Sequence, residues 1–224
     1  MTQNRRLEDM PTVLADANVL FSQEQRNILM TLAIEGLFRL RWTEKIEDEW
    51  VRNRGQRLLK AGKDATAPQR TAEKMRKAIP DFELGDWQRF VDDTGATHPG
   101  DRHVAAAAMA CAPSHLLTWN LRDFDAGHLK GHRVTVWSPD DFLCEVYDEN
   151  PVITYEASRR AHGFARSVAG RIPTWPEYLE RLAGSGLPQF AARLEGHDRD
   201  DTLDDLPEVL SEDETPSGDV SEGP

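Results

Sequence analysis

The stretch that decides the reading of this chain is Thr12-Val13-Leu14-Ala15-Asp16-Ala17-Asn18-Val19-Leu20-Phe21-Ser22. Residues 12–15 form a short apolar run, suited to a buried strand and too short for a helix. The run ends on Asp16, where a strand gives way to a loop, and Asn18 follows two residues later. In an α/β sheet the strand C-termini share one edge, and the loops on that edge collect ligand-binding residues. An acid placed there is a candidate for chemistry, although an aspartate at a strand end also serves ordinary turns.

Working outward, residues 24–35 carry Ile28, Leu29, Leu32 and Ala33 at helical spacing, with Gly36 as a C-cap and Ser22 suited to cap the start. Residues 37–40 read as a second short strand. Thr43 then has N-cap chemistry before a helix over 44–54, with Ile46 and Trp50 on its packed face. Residues 55–77 are helical in composition, broken by Gly62 and Pro68. A strongly helical run, DRHVAAAAMAC, opens at Asp101 and stops at Pro113. Residues 115–119 and 133–137 read as strands, and Ser138-Pro139 starts another helix. Strands alternating with helices predict an α/β fold with a central, mostly parallel sheet flanked by helices. From Pro151 strand signals cease. Thr174-Trp175-Pro176-Glu177 has the T-x-x-E capping-box pattern. The expected organisation is an N-terminal tail (1–10), an α/β domain (11–147), a helical extension (148–196) and an acidic disordered tail (197–224).

The formal net charge of the 224 residues is -12, which at first argues against a nucleic-acid partner. Its distribution changes that. Residues 197–224 hold eleven acids and one base, a net of -10, so residues 1–196 carry only -2. Within them, residues 52–77 hold nine bases against Asp64 and Glu73, a net of +7. Two cysteines, Cys111 and Cys144, make neither a disulfide framework nor a zinc pair, and His98, His103 and Cys111 match no common zinc spacing. The first ten residues lack the apolar core of a signal peptide, and no apolar run approaches membrane length. The expectation is a soluble protein of a reducing compartment, the cytoplasm, with no membrane partner.

Four carboxylates fall where this fold brings them together: Asp16 after the first strand, Glu49 on the helix IEDEWVRN, Asp101 at the start of DRHVAAAA, and Asp123 after the strand in TWNLRDF. Clustered acids repel one another and are desolvated together. A hard divalent cation relieves that repulsion, so the expected cofactor is Mg²⁺ or Mn²⁺. Each acid has a competing reading. Glu49 has Glu47 and Asp48 beside it, Asp101 could serve only as a helix cap, and Asp123 has Asp125 as a rival. Asn18 and Asn120 are candidates to orient carboxylates. Arg52, Arg54, Arg57, Lys74, Arg76 and Lys77 are candidates for phosphate contact, beside the plain alternative of a solvated helix face. Trp42, Trp50, Trp119 and Trp137 read as core.

Taken in order, DANVLFS, IEDEWVRN, DRHVAAAA and TWNLRDF resemble the acidic segments of PIN-domain ribonucleases, and more narrowly the VapC-type toxins of bacterial toxin–antitoxin pairs. The resemblance covers roughly residues 12–147, and 151–196 resembles the C-terminal extension of a VapC subgroup. It implies a PIN-like three-layer α/β fold and metal-dependent endonucleolytic cleavage of RNA by a metal-activated water. Asp16, Glu49, Asp101 and Asp123 would be the catalytic metal ligands. A cognate antitoxin would restrain the enzyme, and a homodimer is implied. The chain departs from the pattern at His98-Pro99-Gly100-Asp101, where related sequences often carry further acids; a second metal would be held less firmly. The alternatives are an α/β phosphatase or nucleotide-binding protein, lowered by the lack of a GxGxxG or GxxxxGK[ST] loop, and a non-catalytic PIN-like binding module.

Overall fold

Residues 12–15 do form a strand, β1 (Thr12–Ala15), and all four are buried. Burial on both faces is what a central parallel strand requires. In the computed structural model, which describes residues 10–165 and 171–204, β1 pairs in parallel with β2 (Arg39–Arg41) on one side and β3 (Ser114–Leu117) on the other. A fourth strand, β4 (Val134–Trp137), adds to β3, again in parallel, giving the order β2-β1-β3-β4. The chain therefore has the expected PIN-like α/β architecture. The expected N-terminal tail lies outside the described residues apart from Met10, as do residues 205–224 of the expected acidic tail.

Two strands shift from their expected positions. Leu37 and Phe38 are buried before β2 begins, so the apolar pair belongs to the core beneath the sheet edge rather than to the strand. The third strand ends at Leu117, which leaves Trp119 beyond it and 38% exposed, not in the core as expected. Trp42 and Trp50 are fully buried, as expected.

Helices fill the connections. After β1 come α1 (Ala17–Phe21), too short to show a period in sequence, and α2 (Gln23–Ile34), whose first turn is capped by Ser22. The segment after β2 is α3 (Glu44–Lys60), capped by Thr43, then α4 (Ala67–Ala78), with Pro68 in its first turn where a missing N–H costs nothing. A 3-10 stretch, Trp87–Asp93, leads into a loop and α5 (Arg102–Ala110). Residues 104–109 of α5 are buried all round, which an alanine-rich helix permits because small side chains allow close packing on several sides. After β3, α6 (Ala126–Gly131) returns to β4, and α7 (Pro139–Glu149) follows it.

Three further helices follow among the described residues: α8 (Pro151–Phe164), α9 (Trp175–Gly184) and α10 (Pro188–Asp204). α10 thus continues into the stretch read from sequence as a disordered tail. Thr174 and Glu177 make the reciprocal capping box expected of them. Leu179, Leu182, Leu187, Phe190 and Leu194 join the same hydrophobic cluster as β1, so sheet and extension share one core. The joint is also polar. Arg181 pairs with Glu24 at 3.0 Å and Arg160 with Glu35 at 2.8 Å. Asp140 of α7, itself buried, accepts the backbone N–H groups of Gln189 at 3.1 Å and Phe190 at 2.9 Å. It caps α10 from another helix. Asp140→Ala leaves two N–H groups of that first turn without their acceptor and is expected to cost about 1–2 kcal/mol. Urea unfolding with an unchanged slope and a lowered midpoint would measure it. No helix of the described residues is long and apolar enough to cross a membrane.

Candidate active site

The strand order reverses at β1: β2 lies on one side of it, β3 and β4 on the other. Such a switch point opens a crevice at the strand C-termini. Ala15 is in register with Leu117, so the next residues, Asp16 and Thr118, face each other across the mouth of that crevice. The Asp16 N–H donates to the Leu117 carbonyl at 3.0 Å and closes the ladder there.

Asp16 is almost fully buried, at 4% exposure. Its Oδ1 accepts the Ala17 N–H at 2.6 Å, capping α1. Its Oδ2 accepts the Thr118 hydroxyl and the Asn18 side-chain amide, each at 2.7 Å. Asn18 also donates to Thr118 Oγ1 at 3.1 Å and accepts the Trp119 N–H at 3.2 Å, tying the ends of β1 and β3 together. Burial pushes the Asp16 carboxyl up to about 6. Hydrogen bonds from Thr118 and Ala17 resist the rise, and the nearby charges of Asp101 and Glu49 add to it.

Asp16, Asn18, Glu49, Asp101 and Asn120 line one cleft of about 250 Å³ together with Ala17, Phe21 and Asn53. No lining residue is basic. The structure separates Glu49 from its neighbours: Glu47 is buried, accepting from Trp42 Nε1 at 3.0 Å and pairing with Arg76 at 2.8 Å, while Asp48 is exposed. His103 Nε2, buried, lies 3.5 Å from Glu49 Oε2, and burial holds the imidazole below its usual range. Asp101 precedes α5, but its side chain accepts no capping hydrogen bond. The carboxylate is turned to the cleft, and its pKa is raised by burial and then by the charge of Asp123. Asp123 sits in the 3-10 turn Leu121–Asp123 and is near enough to act on Asp101, although it is not part of the cleft wall. Its rival Asp125 is occupied as the cap of α6, accepting from His128 N and Ala96 N at 3.0 Å each.

Thr118 was not singled out by the sequence. The signal lies in register, since it follows β3 as Asp16 follows β1. Thr118→Val keeps the shape and removes the hydroxyl that lowers the Asp16 pKa. An Asp16-dependent activity should fall about tenfold, with the acidic limb of its pH profile moved upward. A rate–pH profile of the variant checks both.

The basic candidates divide. Arg54 and Arg57 stand over the Phe21 ring at 5.3 and 5.8 Å and line an adjoining groove of about 440 Å³ with Ser22, Glu24 and Arg181. Phe21 belongs to both cleft and groove, so these two arginines flank the acids. Arg76 is engaged by Glu47. Arg52 on α3 and Lys74 and Lys77 on α4 are exposed outside both cavities.

Comparison with known proteins adds an independent line. Residues 139–196 match the family model of the VapC50 C-terminal domain. A stretch of 102 residues is 32% identical to “Putative ribonuclease VapC50” of Mycobacterium tuberculosis, covering 43% of this chain and 54% of that protein. The chain thus spans about half the length of the curated relative it matches. No solved structure matches.

Proposed function

We propose, from a chain that is VapC-type by these matches and PIN-like in fold, that this protein is a metal-dependent endoribonuclease and the toxin of a toxin–antitoxin pair. The observation that carries the reading is the cleft itself: three carboxylates lining one wall, a fourth close by, and no basic residue among the lining residues. Such a donor set fits a hard divalent cation such as Mg²⁺ or Mn²⁺. Asp16, Glu49, Asp101 and Asp123 would hold it. The ion supplies, when bound, the charge that activates water and stabilises an in-line displacement at phosphorus.

The chain's own residues do the rest. Thr118, Asn18 and the Ala17 N–H fix the Asp16 carboxylate in one orientation. Asn120 and Asn53 offer neutral polar groups at the cleft wall. Arg54 and Arg57, flanking the cleft through Phe21, are placed to hold substrate phosphates; Arg52, Lys74 and Lys77 widen the basic field that steers RNA inward. Arg76 has its main task with Glu47. The acidic cleft equally suits a basic segment of an antitoxin, which would enter and compete with the cation. A homodimer and a cytoplasmic location complete the proposal.

The test is cleavage of a pool of structured RNAs by the full chain. Cleavage is expected with Mn²⁺ and not with EDTA. RNA cut equally well in EDTA would sink the proposal, and RNA bound but never cut would favour a binding module.

A further inference from the structure

A second group of metal-binding side chains lies away from the acidic cleft. Asp93 ends the 3-10 stretch Trp87–Asp93, His128 lies on α6, and His132 directly follows α6. One ligand atom from each falls within 4.8 Å of the others. His128 Nε2 is 3.4 Å from Asp93 Oδ1, and His132 Nε2 is 3.6 Å from Asp93 Oδ2. The two imidazoles are neighbours one helical turn apart, with centroids 4.8 Å apart.

These spacings are long for hydrogen bonds but suit ligands around one ion. Two donors at about 2.0–2.1 Å from a tetrahedral Zn²⁺ stand roughly 3.3–3.4 Å from each other. The scaffold around them is tightly built. Gly95 (φ +60) lies so close to α6 that a Cβ there would come within 2.7 Å of Asp125 Oδ2 and 2.8 Å of His128 Cγ. Ala96 N donates to Asp125 Oδ2 at 3.0 Å, and Asp125 N donates to Thr97 Oγ1 at 3.2 Å. The loop bearing Asp93 is thus fixed against α6 before any ion binds. His128 Nε2 also meets the Asp93 carbonyl at 2.9 Å, a contact that a metal at this nitrogen would replace.

We propose that Asp93, His128 and His132 form a binding site for a single Zn²⁺-class transition ion, structural in role and separate from the acidic cleft. Two imidazoles and one carboxylate favour Zn²⁺ and its neighbours over Mg²⁺, whereas no histidine is among the residues that line the cleft. The ion would join two segments 35 residues apart in sequence. One runs on from Asp93 to Asp101; the other carries Asp123, three residues before α6 begins. Zinc would therefore stiffen the frame that carries Asp101, in the cleft wall, and Asp123 close by, without touching either.

The experiment uses the full chain without a polyhistidine tag, in excess Mg²⁺, with Zn²⁺ as the probe. Calorimetric titration should show one equivalent bound. At Zn²⁺ about 100-fold above its Kd, the Tm should rise by roughly 5–10 °C. His132→Gln and Asp93→Asn should each lose the equivalent and the Tm rise while matching the wild-type Tm in EDTA. Asp16→Asn should retain both. Absence of Zn²⁺ binding by the wild type would overturn the proposal, as would unchanged binding by His132→Gln and Asp93→Asn, or its loss in Asp16→Asn.

Discussion

Asp16→Asn is expected to reduce Mn²⁺-dependent RNA cleavage by on the order of 10³-fold while leaving the chain folded. The expectation rests on position. Of the four candidate acids Asp16 is held by the most hydrogen bonds, it directly follows the strand at which the sheet order reverses, and its two oxygens are already oriented. An amide removes the negative charge and one acceptor. A cation would lose its most rigid ligand, and Glu49 and Asp101 reach the cleft from other elements without comparable support. Folding should survive because the amide oxygen can still accept from one partner and the variant no longer buries a charge. The variant should still unfold in one cooperative transition in EDTA. Equal cleavage rates for the two proteins, measured under single-turnover conditions, would remove Asp16 from the metal site.

The strand TVLA and its terminal acid were legible because a buried parallel strand is one apolar block and its end is marked by a change of polarity. The helices opened by Ser22, Thr43, Ser138 and Thr174 were legible for the same local reason: cap chemistry is written within four residues. Structure decided what depends on distant partners. Whether Asp101 caps its helix cannot be read from the residue alone, and in the fold its side chain makes no hydrogen bond to the α5 N–H groups. Asp125 rather than Asp123 serves as a cap. Arg76 looks like its basic neighbours until Glu47, 29 residues earlier, takes it. Trp119 read as core, yet its ring lies against Gly186 (φ +103), where a Cβ would approach it to 3.0 Å. The i,i+4 pair His128 and His132 meant little without Asp93 beside it. Each of these is a tertiary contact that no window of sequence contains.

The stability of the metal-free protein should fall as pH rises from about 4 to 7, and a divalent cation should reverse the fall. An ordinary aspartate titrates near 3.8, whereas burial holds Asp16 up at about 6. Between those values the folded chain binds a proton that the unfolded chain has released. Stability then has a negative slope with pH: the contribution of protonated Asp16 is present below the lower value and is lost through the upper one. The full penalty at pH 7 is on the order of 3 kcal/mol, and the raised Asp101 carboxyl adds to it with the same sign. Above pH 6 a cation does what the proton does below it, so its apparent affinity should weaken about tenfold per pH unit below that point. Other groups titrate over the same range. The informative quantity is therefore the difference between wild type and Asp16→Asn in EDTA, which should open by roughly 5–10 °C in Tm from pH 4 to pH 7 in favour of the variant. Adding Mn²⁺ at pH 7 should stabilise the wild type more than the variant. Parallel Tm curves for the two proteins in EDTA would mean that Asp16 carries no buried charge, and would leave the cleft without its electrostatic reason to take a cation.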